Sequence, residues 1–145
     1  MAPTRKAESR EKVRSAPEQS LDFSERAVPS SVPTARHTAR DFALAHGADQ
    51  ALAERVNLAV SEAVSNVVKY AYEPEEIGSV RMKAAIADGF LEIQVTDLGL
   101  GFRDHGPGGL GVGLSIIAEV SSDLEISQDR NGTELRMRFL LGADE

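Results

Sequence analysis

The chain has no cysteine and no tryptophan, and its 145 residues include only two tyrosines, five phenylalanines and three histidines. Without cysteine there is no disulfide framework, no thiolate nucleophile and no thiolate metal centre, a composition compatible with the cytoplasm. Three scattered histidines do not make a zinc site. No apolar run approaches the roughly 18 residues of a membrane span, and the first residues lack the apolar block of a secretory signal. The net charge of −7 is unevenly spread: residues 1–20 hold five basic and three acidic side chains, which leaves the remainder more acidic than the total. An acidic body is a poor surface for a nucleic-acid backbone, so the expected partners are proteins, with no direct nucleic acid and no membrane. What is present is ordinary for a globular chain, 41% hydrophobic and 27% charged, and long enough for one domain with a buried core.

Residues 1–20 mix charges with Ser, Pro and Ala without an apolar period, which predicts a disordered tail ahead of a domain over 21–145. Leu21 to Val28 reads as a short edge strand. Pro29 and Pro33 then punctuate, with Ser30, Ser31 and Thr34 as candidate caps of an Ala-rich helix from about Val32 to His46, ended by Gly47. Asp49 is placed to cap a second helix that continues to about Tyr72 and stops before Pro74. On that helix Val56, Val60, Ala63, Val64, Val67 and Ala71 gather on one side as a core face. Glu62 and Asn66, four residues apart, stack on a polar stripe shared with Arg55 and Lys69. Tyr70 and Tyr72 read as packing at the helix end.

Beyond the acidic turn at 73–78 the period changes to two: Val80, Met82, Ala84 and Ile86 alternate, Asp88-Gly89 supplies a two-residue hairpin turn, and Leu91, Ile93 and Val95 alternate up to Asp97. A third helix is expected from about Leu110 to Val120, then strands near 124–128 and 133–141 joined by a turn at 129–132. The predicted class is α+β, a two-layer sandwich with a mixed, mostly antiparallel sheet of about five strands and three helices on one face.

The stretch from Val95 to Leu114, VTDLGLGFRDHGPGGLGVGL, organises the rest. A strand ends in Asp97, glycines follow at 99 and 101, and Gly108, Gly109, Gly111 and Gly113 crowd the entry to a helix. A helix N-terminus stripped of side chains leaves its first N–H groups and positive dipole end to an anion, phosphate above all. This segment points to a nucleotide binder. Each piece has a plain alternative when taken alone: Glu62-x-x-x-Asn66 is also a solvated helix stripe, D-x-G-x-G a common turn, and glycines before a helix a flexible loop. Their order and placement together favour the site.

Glu62-x-x-x-Asn66, Asp97-x-Gly99-x-Gly101 and Gly109-x-Gly111-x-Gly113-Leu114, with Gly132-Thr133 behind, resemble the N, G1 and G2 boxes of the GHKL, or Bergerat-fold, ATPase superfamily. The resemblance covers about Leu21 to Leu141. The compact size and short lid, which contains Arg103 and His105, are similar to the bacterial anti-sigma-factor serine/threonine kinases. The resemblance implies that Asp97 accepts a hydrogen bond from the adenine 6-amino group, with Thr133 supporting the same base edge. It implies ATP or ADP as ligand, held also by Gly99, Gly101, Gly108, Gly109, Leu110, Gly111, Val112, Gly113 and Leu114. Asn66 would offer its oxygen to Mg2+, and Glu62 would be the catalytic base. The implied partners are an anti-sigma-factor antagonist of the STAS fold and a sigma factor, and the implied assembly is a homodimer.

One departure from the family pattern is Lys69, where histidine is common; the cation is kept and could approach a phosphate. Three functions remain open to the sequence: a protein serine/threonine kinase, an ATP-holding partner-binding module without transfer, and a detached histidine-kinase catalytic domain. The last would expect an upstream phosphoacceptor helix pair, which about 20 tail residues do not supply.

Overall fold

The computed structural model describes residues 20–99 and 111–142; of the tail expected over residues 1–20, Ser20 belongs to the first strand, and residues 1–19 and 100–110 lie outside the described residues. The described elements are β1 (Ser20–Arg26), α1 (Ser31–Ala45), α2 (Gln50–Asn66) with a π-helical continuation (Val67–Ala71), β2 (Ser79–Ala87), β3 (Phe90–Asp97), α3 (Gly111–Val120), β4 (Asp123–Asp129) and β5 (Gly132–Leu140). The α+β class and the five strands follow the sequence pattern.

The strands form one sheet in the order β1-β2-β3-β5-β4. Every pairing is antiparallel, so the sheet is not mixed as expected. The reason lies in the crossover through α3. It returns the chain in the direction of β3, which would make β4 a parallel neighbour, but β5 folds back and inserts between the two. Each parallel-running pair is thereby separated by an antiparallel strand.

Alternation decides which face of the sheet is covered. Val80, Met82 and Ala84 of β2, Leu91, Ile93 and Val95 of β3, and Leu135, Met137 and Phe139 of β5 are all buried, and register aligns them in rows such as Met82–Val95–Leu135 and Ala84–Ile93–Met137. The intervening residues, among them Arg81, Lys83, Glu92, Gln94, Glu134 and Arg136, stay exposed or half-buried on the other side. The buried rows join the apolar faces of the three described helices in one core, where each large aliphatic or aromatic side chain contributes about 1.5–3 kcal/mol. On α1 the contact surface is a run of alanines, Ala35, Ala39 and Ala43, one turn apart and small enough to let α2 come close. The core face expected on the second helix, from Val56 through Ala71, is buried throughout.

Local signals act largely as their chemistry requires. Asp49 caps α2, its carboxylate accepting from the Leu52 amide at 2.8 Å. Asp88 and Gly89 both have positive φ, 56° and 81°, as a type I′ hairpin turn needs. Ser31 differs from its expected capping role: its hydroxyl donates back to the Arg26 carbonyl and accepts from the Val28 amide, tying the β1–α1 connection. The second helix also departs from expectation. It ends as an α-helix at Asn66 and widens into a π turn over Val67–Ala71, a device that occurs often beside functional sites.

Candidate functional site

The buried rows of the sheet are apolar until their last member. Val80, Asp97 and Thr133 stand side by side on β2, β3 and β5, so the final row of the helix-facing surface carries a carboxylate and a hydroxyl, each only 2% exposed. Asp97 Oδ1 accepts from the Gly99 amide at 3.0 Å. Thr133 Oγ1 has no hydrogen-bond partner among the described residues. Burying a hydroxyl without a partner costs about 1–3 kcal/mol. Gly132 lets β5 begin here: with φ at 139°, a side chain on it would run into the Asp97 carbonyl.

The second half of the site lies on α2. Glu62 and Asn66, stacked one turn apart, both face Gly113 in the first turn of α3. A Cβ at position 113 would stand 3.1 Å from Glu62 Oε1 and 3.3 Å from Asn66 Nδ2, closer than side chains ordinarily pack. Glycine there allows α3 to start directly over the carboxylate and the amide. Asn66 is 7% exposed, and its Nδ2 is the other buried polar atom without a partner among the described residues. Glu62 is half-buried and enters no ion pair among the described residues. A carboxylate in this setting can accept a proton, and an amide oxygen beside it suits a hard cation.

The π turn brings the halves together. It carries the chain from Asn66 to Ala71, about 7 Å along the helix axis, and delivers the Ala71 carbonyl against Gly99, where a Cβ would overlap it. The family resemblance implied that Gly99 helps to hold the nucleotide; the structure adds a nearer reason for glycine there, the backbone of the preceding helix. Tyr72 follows, in extended conformation, and its hydroxyl accepts from the Leu98 amide at 3.0 Å while donating to the Ser79 carbonyl at 2.7 Å. Sequence reasoning assigned Tyr72 only to packing, and no local pattern marks a tyrosine whose partners lie seven and 26 residues away.

Of the residues singled out from the sequence, Glu62, Asn66, Asp97, Gly99, Gly113 and Thr133 border this region. Lys69 is exposed on the π turn. Leu114 is half-buried beside Gly113, and Gly111 and Val112 open α3. Gly101, Gly108, Gly109 and Leu110 lie outside the described residues, as do Arg103 and His105. No group of three or more metal-binding His, Cys, Asp or Glu side chains is found among the described residues.

Comparison with known proteins gives the class of this fold. Residues 26–139 match the histidine kinase-like ATPase domain, and the chain belongs to that family, whose members bind ATP. Among its relatives, the serine-protein kinase RsbW of Bacillus thuringiensis (strain Al Hakam) is 29% identical over 103 residues, 60% of this chain and 64% of the relative. The anti-sigma F factor of Clostridium botulinum (strain Eklund 17B / Type B) is 43% identical over 49 residues, 34% of each chain. The chain therefore spans less than two thirds of the curated relatives it matches. The crystal structure of the RsbU and RsbW domains of a Mycobacterium tuberculosis protein shares the fold at a TM-score of 0.69 and 24% identity, over 84% of this chain and 32% of that one. A blue-light activated histidine kinase of Erythrobacter litoralis EL346 shares it at a TM-score of 0.55 and 22% identity, over 65% of this chain and 32% of the kinase.

Proposed function

We propose that the protein is an ATP- and Mg2+-dependent protein serine/threonine kinase of the anti-sigma type. It phosphorylates an antagonist of the STAS fold and holds a sigma factor when the antagonist is not engaged, acting in the cytoplasm as a homodimer. The carrying observation is the pairing of Glu62 with Asn66 beneath Gly113, with a buried Asn66 nitrogen that the described protein does not satisfy. The relatives named serine-protein kinase and anti-sigma factor support the same reading.

In this reading Asp97 accepts the adenine 6-amino group and Thr133 supplies a hydroxyl to the same base edge. Gly111 and Gly113, with Gly108, Gly109, Leu110, Val112 and Leu114, frame the phosphates at the start of α3, where orphan amides and the helix dipole favour anions. The Asn66 side-chain oxygen holds Mg2+, which neutralises charge on the phosphate oxygens when bound. The antagonist's serine or threonine oxygen bonds to the γ-phosphorus as the bond to the β–γ bridging oxygen breaks and ADP leaves. Glu62 takes the hydroxyl proton. Lys69, exposed on the π turn, offers its cation to a phosphate of the nucleotide.

The test is incubation of the full chain with γ-labelled ATP, Mg2+ and purified STAS-fold proteins. Label on a serine or threonine of one of them is the expected result. ATP binding without transfer to any would make the protein a partner-binding module instead.

A further inference from the structure

We infer that Tyr72 is a positioning residue for adenine recognition, acting through Asp97 and tying the adenine half of the site to the helix that carries Glu62 and Asn66. The inference rests on the nucleotide reading above and adds a residue to it. Three observations carry it. The Tyr72 hydroxyl accepts from the Leu98 amide at 3.0 Å, and the next amide, Gly99, donates to Asp97 Oδ1 at 3.0 Å. Two successive donors of one turn are thus held, the first by a side chain at the end of the π-helical segment and the second by the carboxylate proposed to read the base. The same hydroxyl donates to the Ser79 carbonyl at 2.7 Å, so the tyrosine is fixed at the start of β2 as well.

The ring is as constrained as the hydroxyl. A Cβ on Gly78 would overlap its edge, and one on Gly99 would stand 2.9 Å from its Cδ1. The phenol lies in a slot that both glycines leave open, and its inner side packs on the core. With two hydrogen bonds and a filled slot, Tyr72 has little freedom, and any shift of the turn it holds moves the Gly99 amide and with it the Asp97 carboxylate. Asn66 closes the α-helical part of α2, and the π-helical segment that continues it ends at Ala71, directly before Tyr72, which gives the base-reading and phosphate-proximal groups a common mechanical anchor.

Tyr72→Phe keeps the ring in its slot and removes the hydroxyl alone. Calorimetry on the full chain should compare ADP with purine riboside diphosphate, which lacks the 6-amino group, beside a thermal melt of each protein. We expect ADP affinity to fall about three- to tenfold, the size of one hydrogen bond, while purine riboside diphosphate affinity stays the same. In transfer assays the KM for ATP should rise by the same factor with kcat within about twofold. Equal ADP affinity in the two proteins overturns the inference. Equal weakening of both nucleotides together with a lowered melting temperature also overturns it, because the hydroxyl would then serve the fold alone. A wild-type chain that takes up no adenine nucleotide removes the proposed function itself, whereas a binding wild type beside an unaffected variant removes only the role of Tyr72.

Discussion

The two faces of the sheet handle polar groups in opposite ways. On the open face, Arg136 pairs with Glu92 at 3.0 Å, Glu134 at 2.8 Å and Glu125 at 3.5 Å. Arg138 lies 4.1 Å over the Phe90 ring, and Arg81 pairs with Asp22 at 2.6 Å. The Arg81 guanidinium holds the Asp22 carboxyl below its usual range, and Asp22 in turn raises Arg81. These groups have water within reach and still partner one another. On the helix-covered face, where water is scarce, Asn66 Nδ2 and Thr133 Oγ1 are buried without a partner among the described residues. Exposed pairs of this kind stabilise little, whereas a buried unsatisfied group is costly. Among the described residues, the larger polar cost therefore falls at the end of the covered face.

Substitutions on the two faces should separate accordingly. The largest effect is expected from Glu62→Ala, which should lower transfer to the antagonist about 10²- to 10⁴-fold while ADP affinity stays within a few-fold; labelled-ATP assays and calorimetry check the two parts, and equal loss of both would contradict the assignment of Glu62 as base. Asp97→Asn should weaken ADP roughly 10- to 100-fold by removing a charged acceptor, read by calorimetry against purine riboside diphosphate, which should change far less. Gly113→Ala must move Glu62 and Asn66 by a few tenths of an ångström, so transfer should fall roughly three- to tenfold with a smaller change in binding. The smallest effect belongs to the open face. Arg136→Met should cost about 1 kcal/mol or less in urea unfolding and leave ADP binding unaltered; a large change in affinity would erase the contrast between the faces.

Much of this site is legible in the chain because its signals are local. Glu62 and Asn66 share a stripe through helical spacing, Asp97 closes an alternating strand, and the Asp88-Gly89 turn sets the register that brings that strand's end beside Val80. Gly99 and Tyr72 were harder to read. The reason for Gly99 is a carbonyl 28 residues earlier in the chain, and the hydrogen bonds of Tyr72 reach across three elements.

Sequence alone determined the helix-then-hairpin order, the apolar faces, the cap at Asp49 and the residue types assembled at the site, because each depends on neighbours within a turn of helix or a pair of strands. Tertiary structure decided the insertion of β5 between β3 and β4, the widening of the helix after Asn66, the approach of α3 over Glu62 through Gly113, and the hold of Tyr72 on the Asp97 turn. Those features are set by contacts between segments far apart in the chain, where burial and backbone hydrogen bonding select one arrangement among several that local periodicity permits.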